Sequence, residues 1–223
     1  MAHLRELRLL SALRRALDSS AASPRVSALL LWLFCGGACY GLVLGSRNLL
    51  SGRVDPQPLY AALKVPLLSW VTFALCLPSF YVLNALLGLR DEFGRVVAAL
   101  VRAQAVFGLV LASLAPLTLL CYLSSASYAR ALLFNEAMFG VATLAAQWAL
   151  RRLYRPLIAI RPRHRWAQRL WLVLYAFTGI QLGWVLRPFV GSPQGPSAFF
   201  RPDAWGNAYV VLFRLVQAAL GVL

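Results

Sequence analysis

Eight polar side chains stand inside otherwise apolar stretches, and they are the first candidates for chemistry. Glu136 lies in ALLFNEAMFG and Arg214 in NAYVVLFRLVQAALGVL, while Asn84, Gln104, Asn135, Gln147, Gln181 and Gln217 are similarly enclosed. A charge in hydrocarbon is costly and turns toward a partner or toward water. Glu136 is the only acid within such a run and Arg214 the most internal base, so the two are expected to form a buried ion pair or to line a path. The polar residues singled out as functional are Asn84, Glu136, Gln181 and Arg214. Other chemistry is thin. Cys35 and Cys39 are one helical turn apart, but zinc wants four nitrogen or sulfur ligands and the only histidines, His3 and His164, lie in or beside basic segments. Neither a metal nor an organic cofactor is expected. Asp91 and Glu92 in GLRDEFGR are flanked by Arg90 and Arg95 and read as a neutralised turn. The chain contains no G-x-S-x-G, H-E-x-x-H or P-loop pattern, so the reading leans away from an enzyme.

The elements that hold these residues are apolar segments of membrane length. Of the 223 residues 61% are hydrophobic and 13% charged, more apolar surface than a soluble fold of this size can hide, so lipid must be part of the solvent. Six runs follow one another, roughly 26–45, 65–88, 97–123, 131–150, 168–186 and 207–223. Pro78 and Pro116 interrupt the second and third, as prolines commonly do in such helices. The expected fold is all-α, a polytopic transmembrane helical bundle of six spans, or five if the short last run lies in the interface. Before it, residues 1–24 repeat leucine at helical spacing with arginines between, which predicts a basic amphipathic helix lying on the membrane surface. The expected domains are therefore 1–24 and 25–223. Gly37, Gly41 and Gly45 share one face of the first run, and Gly179 and Gly183 one face of the fifth. Small residues four apart let a second helix approach closely, either within one subunit or along a seam between subunits.

Charge sets the expected orientation. The net charge is +15, from 22 Lys+Arg against 7 Asp+Glu. With an N-terminus in the cytoplasm and six spans, fifteen of the basic residues fall on the cytoplasmic side and six opposite, which places both termini inside. The densest segment is RRLYRPLIAIRPRHRWAQR, where Arg151, Arg152, Arg155, Arg161, Arg163 and Arg165 are expected to contact anionic lipid head groups or an acidic partner. No polar stretch is long enough for a nucleic-acid module. On the opposite side, residues 186–207 read LRPFVGSPQGPSAFFRPDAWGN. Its prolines and glycines forbid a regular helix, and Phe199, Phe200 and Trp205 suit the membrane interface. Asp203 is expected to pair with Arg187 or Arg201, in a packed loop that clips two spans or offers a docking surface.

Residues 61–88, AALKVPLLSWVTFALCLPSFYVLNALLG, carry Lys64-Val65-Pro66-Leu67-Leu68, then Pro78, Asn84 and a closing Gly88. This stretch resembles the second-span region of small bacterial membrane proteins of the Yip-type (Rab-interacting-like) group. The resemblance implies about five spans, a cytoplasmic N-terminal region, roles in membrane organisation and partner binding, and no catalysis. The sixth run and the 186–207 loop depart from that pattern. The expected function is a non-enzymatic integral protein, in a bacterial inner (cytoplasmic) membrane, that organises or anchors a complex. Its expected partners are anionic lipid and other membrane subunits or a second copy. The alternative is a channel or transporter subunit using the intramembrane polar residues.

Overall fold

The computed structural model describes residues 26–50, 52–124, 127–191, 199–200 and 209–210, and among them every regular element is a helix. Helix α1 runs Val26–Gly45, followed by one further turn at Arg47–Leu50. Helix α2 is Gln57–Leu86, and a 3-10 turn, Arg90–Glu92, leads into α3, Phe93–Ser124. Helices α4, Tyr128–Ile160, and α5, His164–Val185, complete the described set.

Three stretches are long and apolar enough to cross a membrane: Ser27–Leu50, Gln57–Leu86 and Arg90–Ser124. A span needs about 20 mostly apolar residues, and in lipid the helix satisfies its own backbone hydrogen bonds. The chain is therefore a membrane protein. Its outward leucines agree with lipid as solvent, since Leu86, Leu133 and Leu144 are each more than 70% exposed. The N-terminal segment 1–24 and nearly all of the sixth run lie outside the described residues, as do Arg201, Asp203, Trp205 and Arg214.

Consecutive helices alternate in direction, which creates two ends. One, here the basic end, gathers the turn after α2, the start of α3 and the turn between α4 and α5. The other, the far end, gathers the end of α1, the start of α2 and residues 186–191. Helix α1 is central, with α2 on one side and α3 on the other; α4 packs on the outside of α3 and α5 on α2, while α4 and α5 hardly touch.

Glycine makes α1 central. A Cβ at Gly41 would stand 2.7 Å from Ala61 C and Ala62 Cα, and one at Gly45 would stand 2.6 Å from Gln57 O and Pro58 Cα. A Cβ at Gly37 would meet Pro66 N at 3.2 Å. The stripe is thus filled by α2 of the same chain. On a second face of α1, Gly36 meets Gly108 of α3, where a Cβ on Gly108 would come within 2.7 Å of Leu33 Cα. Backbone lies against backbone on both sides, an approach that only glycine permits. Gly179 and Gly183 also face α2, but through ordinary contacts of 3.6 Å to Thr72 and 3.9 Å to Leu68. At the end of α2, Gly88 takes φ +72°, and Leu89 N–H reaches back to Asn84 O at 2.8 Å, which closes the helix with a left-handed cap.

Two boundaries differ from the sequence expectation. Helix α2 starts at Gln57, so Lys64 is a fully buried helical residue and not part of a connection. Helix α4 continues through Pro156 to Ile160, so the expected basic connection shrinks to residues 161–163, with Arg151, Arg152 and Arg155 on a helix. The reason is amphipathic periodicity. Leu150, Leu153, Tyr154 and Leu157 are buried at i, i+3, i+4 and i+7, while the arginines occupy the opposite face. An unbroken apolar run ends at the first charge, whereas an amphipathic helix does not.

Candidate functional site

Inside the bundle the polar side chains form two networks that close on themselves. Tyr40 donates to Asn135 Oδ1 at 3.0 Å, Asn135 Nδ2 donates to Tyr122 Oη at 2.6 Å, and Tyr122 donates to Leu44 O at 3.1 Å. This ties α1, α3 and α4 together. Deeper toward α5, Ser69 donates to Gln104 Oε1 at 2.5 Å, and Tyr175 donates to the same oxygen at 3.2 Å, which joins α2, α3 and α5. Asn84 is buried and donates within its own helix, to Phe80 O at 2.8 Å. Gln181 is half-buried on α5. Glu136 requires a correction: it is exposed on α4, and its neighbour Asn135 is the residue that turns inward. One residue is about 100° of helix rotation, so proximity in sequence says nothing about which of the two faces the core. The other half of the expected Glu136–Arg214 pair lies outside the described residues.

At the far end, buried side chains of α2 hold the segment after α5. Lys64 Nζ donates to Pro188 O at 2.8 Å and lies 4.8 Å from the Phe199 ring centre. Gln57 Nε2 donates to Pro188 O at 3.0 Å and Phe189 O at 2.9 Å. Phe199 also meets Tyr60 edge-on at 5.5 Å and Phe200 at 4.9 Å, while Arg187 stacks on Trp184 at 3.2 Å. A buried ammonium is tolerated here because carbonyl oxygen and a ring face replace part of its hydration. The site is a fastening between α2 and the loop that follows α5.

The basic end is built differently. Glu92, in the turn before α3, accepts from Arg161 Nε at 3.4 Å and contacts Nε2 of the fully buried His164. Arg161 also donates to Gly88 O at 2.8 Å and Arg163 to Leu87 O at 3.4 Å, so these two arginines serve the α2–α3 turn. Arg151, Arg152, Arg155, Arg165 and Arg169 are exposed. This end also carries two grooves of about 270 Å³ each, and Arg151, Arg165 and Arg169 line the second. One, between α3 and α4, sets Arg95 and Arg102 over Leu153, Leu157 and Ile160. The other, between α4 and α5, is lined by Gln147, Arg151, Arg165, Gln168, Arg169 and Leu172. Among the described residues no acidic side chain lines either groove. Trp148 and Trp166, sequence neighbours of the groove residues Gln147 and Arg165, are more than half exposed, with Arg152 and Arg169 over their rings at 4.9 and 5.1 Å. Guanidinium groups in such grooves suit bidentate binding of phosphate or carboxylate.

The fastening of Lys64 and the second groove both escaped the sequence reading. Lys64 directly precedes the second apolar run in the sequence and so reads as a connecting charge, and the groove unites residues of two helices. Among the described residues no cluster of three or more His, Cys, Asp or Glu could hold a metal, and Cys35 and Cys39 are exposed on α1. Compared with family models, with curated proteins and with solved structures, the chain finds no match in any of the three.

Proposed function

We propose that this is a non-enzymatic integral membrane protein that organises or anchors a membrane complex, with its basic end toward the cytoplasm and the anionic leaflet. One observation carries the reading. Many of the described polar side chains inside the bundle are spent on one another or on backbone carbonyls, whereas exposed arginines at one end line a groove that holds no acidic side chain among the described residues. Such a surface attracts anionic head groups and acidic partners at roughly 1 kcal/mol per arginine near the membrane. In this reading the chain has six spans, both termini inside a bacterial inner membrane, and residues 1–24 lying as an amphipathic helix on the same leaflet. The likeness of residues 61–88 to the Yip-type group supports a role in membrane organisation. The partners are anionic lipid and other membrane subunits or a second copy.

The test is in two steps. A cysteine at Val54, which is 96% exposed, should react with impermeant reagent from outside, and a cysteine at Arg155 should not; the reverse pattern overturns the orientation. Purification in mild detergent should then yield a stoichiometric partner chain. A lone homo-oligomer that passes ions in liposomes would instead favour the channel or transporter reading. The exposed position of Glu136 counts against a path through a single chain and leaves that alternative a pore between copies.

A further inference from the structure

The groove between α4 and α5 has features that a diffuse basic surface lacks. It is a concavity of about 270 Å³. It holds three arginines from two helices, Arg151 from α4 with Arg165 and Arg169 from α5, and two amides, Gln147 and Gln168. Among the described residues neither Arg151 nor Arg165 has an acidic partner, and the nearby Glu92 is already held by Arg161 and His164. Three like charges around one hollow repel one another unless an anion enters.

The groove is also graded along the helices. Arg165 stands nearest the basic end, and Leu172 lies seven residues, or about 10 Å, further in along α5. Gln147 is likewise the inner residue on α4, and Leu144, one turn further in, is 71% exposed. Trp148 and Trp166, sequence neighbours of Gln147 and Arg165, have their rings open to the surroundings. Exposed tryptophans collect where bilayer meets water. Along α5 the lining passes from Arg165 through Gln168 and Arg169 to Leu172, so cationic and amide groups give way to an apolar side chain, as phosphate and glycerol ester give way to acyl chain in a phospholipid. The cleft exists because α4 and α5 pack on different neighbours and hardly on each other.

We propose that this groove binds one anionic phospholipid, with its phosphate between Arg151, Arg165 and Arg169 and its chains along Leu172 and Leu144. The proposal rests on the basic end facing the anionic leaflet, and it goes beyond that reading by assigning a single stoichiometric site. It matches the chemistry of basic pockets between transmembrane helices.

Native mass spectrometry of the full chain in detergent, titrated with phosphatidylglycerol or phosphatidylcholine, tests it. One bound phosphatidylglycerol is expected, with phosphatidylcholine much weaker. Replacing all three groove arginines (R151Q/R165Q/R169Q) should weaken phosphatidylglycerol binding roughly 100-fold, at one arginine contribution each. A control with the same loss of charge on exposed positions outside the groove (R90Q/R152Q/R155Q) should change it less than about threefold on the same scale. Leu172→Trp fills the floor without altering charge and should cut binding at least about tenfold, one full step in affinity. Equal losses in both triple variants would overturn the site and leave the general basic surface standing. No loss in either would overturn both. Displacement of the lipid by millimolar glycerol phosphate would show a site for free phosphate esters and overturn the lipid assignment. Unchanged binding in Leu172→Trp would overturn the groove geometry.

Discussion

Gly41→Ala adds one methyl group at the tightest kind of contact in the molecule. That Cβ would overlap Ala61 O and stand 2.7 Å from Ala61 C and Ala62 Cα, all backbone atoms of α2 that no rotamer change can clear. Ordinary carbon contact is about 3.5–4.0 Å, so α1 and α2 must part by roughly 1 Å locally. Overpacking of this kind costs about 1–3 kcal/mol, against which alanine returns up to about 1 kcal/mol of helix propensity. Gly140 on α4 supplies the control, because a Cβ there meets nothing within 4 Å. In thermal unfolding followed by loss of monodisperse protein in detergent, a domain of this size shifts by about 2–4 °C per kcal/mol. The net cost is up to about 2 kcal/mol, so Gly41→Ala should fall by up to about 8 °C, with Gly36→Ala and Gly108→Ala alongside it, while Gly140→Ala stays level or rises. Gly179→Ala and Gly183→Ala should resemble Gly140→Ala, since their neighbours lie at 3.6 Å or more. If Gly140→Ala is as harmful as Gly41→Ala, the reasoning from backbone contact fails.

Asn135→Leu removes two interhelical hydrogen bonds within the bundle and should cost about 1–2 kcal/mol, whereas Glu136→Gln should stay within about 0.5 kcal/mol; the opposite order in the same melting assay would mean that α4 is rotated. Lys64→Met keeps the apolar stem but loses the bond to Pro188 O, so amide hydrogen exchange of residues 186–191 should speed up about tenfold or more, the factor that a charged hydrogen bond implies. Unchanged exchange would show that the ammonium does not fasten the loop. Glu92→Gln should destabilise by about 1–2 kcal/mol through lost contacts with Arg161 and His164. Combined with His164→Asn it should cost less than the sum of the single changes, because the two share one interaction; strict additivity would refute the pairing.

How far the site was legible in the sequence depended on whether one segment sufficed to describe it. The stripe of Gly37, Gly41 and Gly45 was visible because its spacing lies within one helix. Its counterpart, Gly36 against Gly108, was not, because two glycines more than seventy positions apart share no periodic mark. Arg161 and Arg163 read as contacts for lipid head groups or an acidic partner, and the structure also uses both to hold the α2–α3 turn, which the sequence did not suggest. The same distance effect hid the Lys64 fastening, since its acceptor is Pro188.

Sequence by itself determined the solvent and the helical class of the described residues. An apolar run of membrane length has few ways to satisfy its backbone other than a helix, and that requirement is local. Tertiary structure alone decided which face of each helix is inside, and so which polar residues are spent in pairs and which stay exposed. Asn135 and Glu136 are neighbours in the chain with opposite fates. Helix rotation is settled by packing against partners brought from elsewhere in the chain, here by glycine faces that let α1 lie against α2 and α3 at backbone distance.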